Sequence, residues 1–144
     1  MKTSAKWISD NNYILNNSKH LNLAVSDPVK RKDNYELNCL DLLLMGLAGC
    51  ITAEFKKQLI MHSISLHGIE TDVEIETRQT THPNFSVHVT CEVKSGARCG
   101  LLEECLERAI DSSFIAILFR EAGIKIYREL KVTTPAHYSE SFTG

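Results

Sequence analysis

The stretch from Asn38 to His62 constrains this chain most. Leu40, Leu42, Leu43, Leu44, Met45, Leu47, Ile51 and Ala53 cover nearly every face of its first half. A helix that is apolar all round has to be buried. Its uncharged core, Leu42 to Ala53, is 12 residues long, too short to span ~30 Å of hydrocarbon. The cover must therefore be protein. Asn38 is placed to cap the helix, and Asp41, three residues on, completes a box-like cap at the positive helix end. Gly46 and Gly49 each cost roughly 1 kcal/mol of helix propensity, so something is expected to pack close to the backbone there. From Glu54 the pattern turns amphipathic, with Lys56, Lys57 and Gln58 facing water, and Gly68 suits the exit.

The rest of the chain must supply that cover. Before the helix, Trp7, Tyr13, Leu15, Leu21, Leu23 and Val25 are scattered among polar residues and asparagine turns, which predicts a meander of two or three strands. Asp27 to Glu36 reads as a charged loop, and its run Lys30-Arg31-Lys32 as solvated. After the helix, Ile69 to Arg78 and Phe85 to Lys94 alternate apolar with polar residues, as half-buried antiparallel strands do. Leu101 to Ile110 and Phe114 to Ala122 carry helical patterns, Gly123 suits the stop, and Ile124 to Val132 form a last strand. The expected class is α+β, with helices packed on one face of an antiparallel sheet.

Length fits a single domain over 1–144, with 133–144 a polar tail. With 43% hydrophobic and 24% charged residues, the chain can build a core without disulfide staples. A net charge of −2 and 7% aromatic residues argue against a nucleic-acid partner. Met1 to Asp10 has no apolar signal-peptide core, so a reducing, cytoplasmic setting and no membrane partner are expected.

The five cysteines (39, 50, 91, 99, 105) are odd in number and without a C-x-x-C pair, so in that setting at least one free thiol is expected. No histidine stands at metal-ligand spacing, and there is no phosphate loop or nucleophile elbow, so neither metal nor cofactor is expected. Cys50 stands out, because Gly49 opens room beside its sulfur on an otherwise buried helix. It is mid-helix, so an activating cation would have to come from elsewhere in the fold. An inert packing thiol is the plainer reading of any buried cysteine. Cys39 begins the same helix 11 residues earlier, roughly 16 Å away at ~1.5 Å per residue. Cys91 and Cys105 read as packing residues, and Cys99 as an exposed loop thiol.

The run Asn38-Cys39-Leu40-Asp41-Leu42-Leu43-Leu44-Met45-Gly46-Leu47-Ala48-Gly49-Cys50 resembles the central helix of the OsmC/Ohr family, the osmotically inducible and organic hydroperoxide resistance proteins. Those helices commonly read Pro-x-Glu-Leu-Leu-Leu, then small residues, then Gly-Cys. The order of strands and helices also matches, over about residues 5–132. The resemblance implies an OsmC-like fold in an intertwined homodimer with two interface sites. It also implies peroxide reduction by a pair of cysteines. Cys50 matches the peroxidatic cysteine, Asp41 stands where the family has Glu, and Cys39 where it has Pro. The second cysteine's place is taken by Ser113, in Ser112-Ser113-Phe114-Ile115. The arginine that Ohr members use near the thiolate has no match, since Arg31 is the first in the chain.

Those departures leave three outcomes. Cys50 can serve as the single cysteine of a peroxidase resolved by an external thiol reductant, with organic hydroperoxides favoured by the apolar helix. Another cysteine of this chain or its partner can resolve it. Or catalysis is lost and the interface pocket binds a small molecule. A more distant alternative is a hotdog-type acyl thioesterase, whose strands normally follow the helix without interruption.

Overall fold

A computed structural model describes residues 2–9, 12–17, 19, 21–26, 37–76, 83–94 and 96–135. The charged loop expected over 27–36 lies outside the described residues, as do residues 77–82 and the tail beyond 135. Backbone proximity divides the chain into two compact units, Met1–Met45 and Gly46–Gly144.

The apolar stretch forms one helix, α1, over Cys39–Met61. Its start is the reciprocal cap read from the sequence. The Asp41 N–H donates to Asn38 Oδ1 at 2.9 Å, and the Asn38 N–H donates to Asp41 Oδ2 at 3.0 Å. Two otherwise orphaned donors are thereby satisfied. The exit is not at Gly68. Ser63 turns the chain with φ 56, and the Ile64 N–H closes back on the Leu59 carbonyl at 2.9 Å. Gly68 lies inside the following strand.

Burial along α1 corrects the expectation of a helix covered on all sides. Leu47, Ile51, Phe55 and Leu59 are 0% exposed, a single stripe at four-residue spacing. Leu40, Leu43 and Met45 are 39%, 44% and 60% exposed. A sheet face laid against a helix covers one side of it, and the other sides need further layers.

In the first unit, β1 (Ser4–Ser9), β2 (Asn12–Asn16) and β3 (Asn22–Ser26) form an antiparallel meander in that order. The asparagines act as predicted: Asn17 Oδ1 accepts the N–H groups of Lys19 and Leu21 at 3.0 and 3.1 Å, a side-chain-built turn. The Asn16 amide donates to Asn22 Oδ1 at 2.7 Å across the β2–β3 ends.

In the second unit, β4 (Leu66–Glu76) and β5 (Asn84–Val93) pair antiparallel, from Ile69 opposite Cys91 to Ile75 opposite Phe85. Then come α2 (Cys99–Ser112), α3 (Phe114–Glu121) and β6 (Ile126–Thr133). β6 pairs with β5 in parallel, from Phe85 opposite Ile126 to Glu92 opposite Thr133. This sheet is therefore mixed rather than antiparallel throughout. Two helices intervene between β5 and β6, and that crossover returns the chain in its original direction. The uninterrupted hotdog arrangement is not this one.

The helices of this unit share one sheet face. Phe85, Val87, Val89, Cys91 and Val93 are buried on it. Thr52 Oγ1 on α1 lies 2.8 Å from Thr71 Oγ1 on β4. Phe119 of α3 meets Phe85 edge-on, with centroids 4.8 Å apart. Glu107 of α2 reaches Arg128 of β6 at 3.5 Å. The other face is polar, with Glu70, Asp72 and Glu74 exposed and His88 paired to Glu129 at 3.0 Å. No helix among the described residues is long and apolar enough to cross a membrane.

Candidate functional site

Residues four apart on a helix stand one above another. Gly46, Cys50 and Glu54 therefore form one row on α1, and all three are half-buried. The junction between α2 and α3 runs beside that row. At its N-terminal end, a side chain begun at Gly46 would come 3.4 Å from Ile115 Cδ1. At its C-terminal end, Glu54 Oε2 lies 3.5 Å from Ser112 Oγ and 3.5 Å from Lys57 Nζ. The Ser112 hydroxyl also donates to the Arg108 carbonyl at 2.8 Å. The two glycines thus differ. Gly46 accommodates Ile115, whereas a side chain at Gly49 would meet nothing within 4 Å.

Ser113 sits between those two contacts and is 0% exposed. It ends α2 and starts α3. Its N–H donates to the Ala109 carbonyl and its own carbonyl accepts from Ile117, both at 2.9 Å. A serine at a helix start ordinarily turns its hydroxyl onto the first-turn N–H groups. Ser113 makes no such cap. Among the described residues, its Oγ is the one buried side-chain oxygen or nitrogen without a hydrogen-bond partner. Such a group costs about 1–3 kcal/mol. Sequence reasoning missed this orphan hydroxyl and the Ser112–Glu54 contact. The Ser-Ser pair between two helical patterns was the only available signal.

Cys50 is a free, half-buried thiol. Among the described residues no group hydrogen-bonds its sulfur.

The remaining cysteines separate cleanly. Cys39 is exposed at the start of α1. Cys91 is 0% exposed, and burial pushes its thiol from 9.0 up to about 11. Cys105 is also buried, and desolvation raises it, opposed by Arg108 and reinforced by Glu104. Its sulfur lies 3.8 Å from His62 Nδ1. His62 is twelve positions beyond Cys50, roughly 18 Å along a helix rising ~1.5 Å per residue. Cys105 therefore sits at the far end of α1 from Cys50. Cys99 is exposed, but it is the first residue of α2 rather than part of a loop. Asp41 is engaged in capping α1. No group of three or more His, Cys, Asp or Glu side chains among the described residues could hold a metal ion.

The family model for OsmC-like proteins matches residues 32–129. No curated protein matches the sequence. Solved structures do match in fold. An OsmC-like protein of Mycoplasma pneumoniae aligns with a TM-score of 0.74 at 14% identity, over 92% of this chain and 96% of its own. An organic hydroperoxide resistance protein OsmC of Legionella pneumophila aligns at 0.63 and 17%, over 92% and 97%. The organic hydroperoxide resistance protein OhrB of Bacillus subtilis aligns at 0.63 and 15%, over 90% and 96%.

Proposed function

The chain belongs to the OsmC-like protein family, and from that premise we propose that it is a one-cysteine peroxidase reducing small organic hydroperoxides at Cys50. The observation that carries this reading is the row Gly46, Cys50, Glu54 with the Ser112–Ile115 junction beside it. The half-buried thiol stands in the family's peroxidatic place, and a hydroxyl, not a second thiol, stands in the resolving place.

The chemistry follows. The Cys50 thiolate attacks the terminal peroxide oxygen, the O–O bond breaks, and the alcohol leaves with a proton. Sulfur is oxidised to sulfenic acid. A thiol reductant then condenses with it, releasing water and leaving a mixed disulfide. A second reductant thiol attacks that disulfide and frees Cys50. Ser113 cannot take the resolving step. Cys105, at the C-terminal end of α1 beside His62, is out of reach. Apolar residues around the row, Ile115 among them, favour an organic peroxide.

The active form in this reading is a homodimer with its sites at the interface. The exposed Leu40, Leu43 and Met45 of α1 support it, because a single chain leaves this apolar surface uncovered. The second copy is also where a cation for Cys50 would come from. A reducing, cytoplasmic setting suits five free thiols.

One observation favours a second reading. Cys50 has no hydrogen-bond partner among the described residues, as in a pocket protein without catalysis. Consumption of cumene hydroperoxide with a dithiol reductant separates the two. Cys50→Ser should reduce turnover to the uncatalysed rate, and a sulfenic-acid probe should label Cys50 in the parent protein. Unchanged turnover in the variant would remove Cys50 from the chemistry. Peroxide that leaves Cys50 unoxidised would favour the pocket protein.

A further inference from the structure

A cavity of about 440 Å³ opens at the far end of α1 from Cys50, within the size range of small-molecule sites. Three separate segments wall it: Ser63 and Ser65 after α1, Lys94 at the end of β5, and Arg98 and Leu101 at the start of α2. Ser63 is thirteen positions beyond Cys50, roughly 20 Å along the helix. The cavity is therefore separate from the site described above, and nothing argued for it depends on Cys50.

Its charge is one-sided. No acidic side chain lines it among the described residues. Among the described residues, neither Lys94 nor Arg98 has an ion-pair partner. This happens in a chain whose net charge is −2, so the positive side chains here are a local concentration rather than a general property.

The start of α2 adds to it. Arg98 precedes the helix, no side chain caps it, and its first turn holds no acidic residue. The Leu101 and Leu102 N–H groups are taken by the Arg98 carbonyl at 3.0 and 3.2 Å. The N–H groups of Cys99 and Gly100, one step earlier, have no partner within the helix. A 14-residue helix carries a partial positive charge at that end. Two cationic residues and two serines line one concave space, with Leu101 as an apolar wall, and the start of α2 adjoins it. That is the chemistry of an oxyanion site.

We propose that this cavity binds a small organic molecule through a phosphate or carboxylate group, held by Lys94 and Arg98 beside the positive end of α2. Lys94 contributes a mobile charge, and Arg98 a planar fork suited to two oxygens.

The test is a titration of the isotope-labelled full chain, followed through the amide resonances of Cys99, Gly100 and Leu101. Inorganic phosphate and citrate are the two probes, each at constant ionic strength. Saturable shifts at these amides are expected with at least one probe. Phosphate alone would assign a phosphorylated ligand, and citrate alone a carboxylate. Lys94→Gln and Arg98→Gln should each weaken binding about tenfold, with the other amide resonances unmoved. Peroxide turnover at Cys50 should be the same with and without either probe. Absence of saturation with both probes overturns the proposal. So does saturation indifferent to both substitutions.

Discussion

The two sheets of this molecule have the same number of strands and opposite fates. In the second, Phe85, Val87, Val89, Cys91 and Val93 are at most 3% exposed. In the first, Trp7, Ile8 and Ile14 are 64%, 47% and 38% exposed. Length is part of the difference. The strands of the first sheet have 6, 5 and 5 residues, and those of the second 11, 10 and 8. The greater part is cover, since helices lie on the apolar face of the second sheet. The second unit has its own core, whereas Trp7, Ile8 and Ile14 of the first are exposed. In the proposed homodimer the second copy would cover such apolar side chains.

Two substitutions set that contrast at risk. Phe55→Ala removes a ring that is 0% exposed, and should cost about 3–5 kcal/mol, read from the midpoint of urea unfolding. A cost under about 1 kcal/mol would show that the second unit is not packed as described. Leu43→Glu and Met45→Glu place carboxylates on exposed apolar positions of α1. They should leave secondary structure intact and weaken self-association at least ~100-fold, or about 2.7 kcal/mol. Sedimentation at micromolar concentration reads this directly. A dimer unaffected by both would mean that this surface is not the interface.

Legibility in the sequence follows the range of the interaction. The Asn38–Asp41 cap spans three residues and is readable. So are the alternation of β4 and β5 and the periodicity of α2 and α3, because each is local. Strand direction is not: a period of two is the same for parallel and antiparallel pairing, so β6 gives no hint of lying parallel to β5. The exit at Ser63 is hidden because serine does not advertise a left-handed backbone as glycine does. Cys99 reads as a loop residue because α2 starts after Arg98, which is no conventional cap. At the site, Cys50 and Ser113 are readable only as positions in a family pattern. The isolation of the Ser113 hydroxyl needs the fold, because it depends on what fails to reach it. The cavity likewise joins 63–65, 94, 96–98 and 101, which no local pattern connects.

Ser113 is the exception within the well-packed unit, and it supplies the next effect in size. Ser113→Ala removes a buried hydroxyl that bonds to nothing among the described residues. It should raise stability by about 1 kcal/mol, measured by urea unfolding. Ser113→Cys should keep the fold and, after one equivalent of hydroperoxide, yield a disulfide between Cys50 and the introduced thiol, detectable by mass spectrometry. Loss of stability in Ser113→Ala would mean that the hydroxyl has a partner in the assembled protein. That would place the site between copies, and the contrast between the two units would narrow.

The last effect is confined to alkaline pH and again divides the two sheets. Burial on β5 raises the Cys91 thiol from 9.0 to about 11, so the folded protein holds this proton more tightly than the unfolded chain does. Below pH 9 the thiol is neutral in both states and its contribution to folding is fully present. As pH rises from 9 toward 11, the unfolded chain releases the proton first and stability falls. Above about 11 both states are ionised and the loss is complete. Other groups titrate in this window, so the informative quantity is the difference between parent and variant. Cys91→Ala should lower stability at neutral pH, by loss of packing, and flatten the decline above pH 9. Part of the slope should remain, because Cys105 is raised by the same burial. Ile8→Ala, on the first sheet, should leave the slope as it is, because neither buried thiol lies on that sheet. Equal slopes in the parent and Cys91→Ala would show that β5 is open to water above pH 9, and the second sheet would then resemble the first.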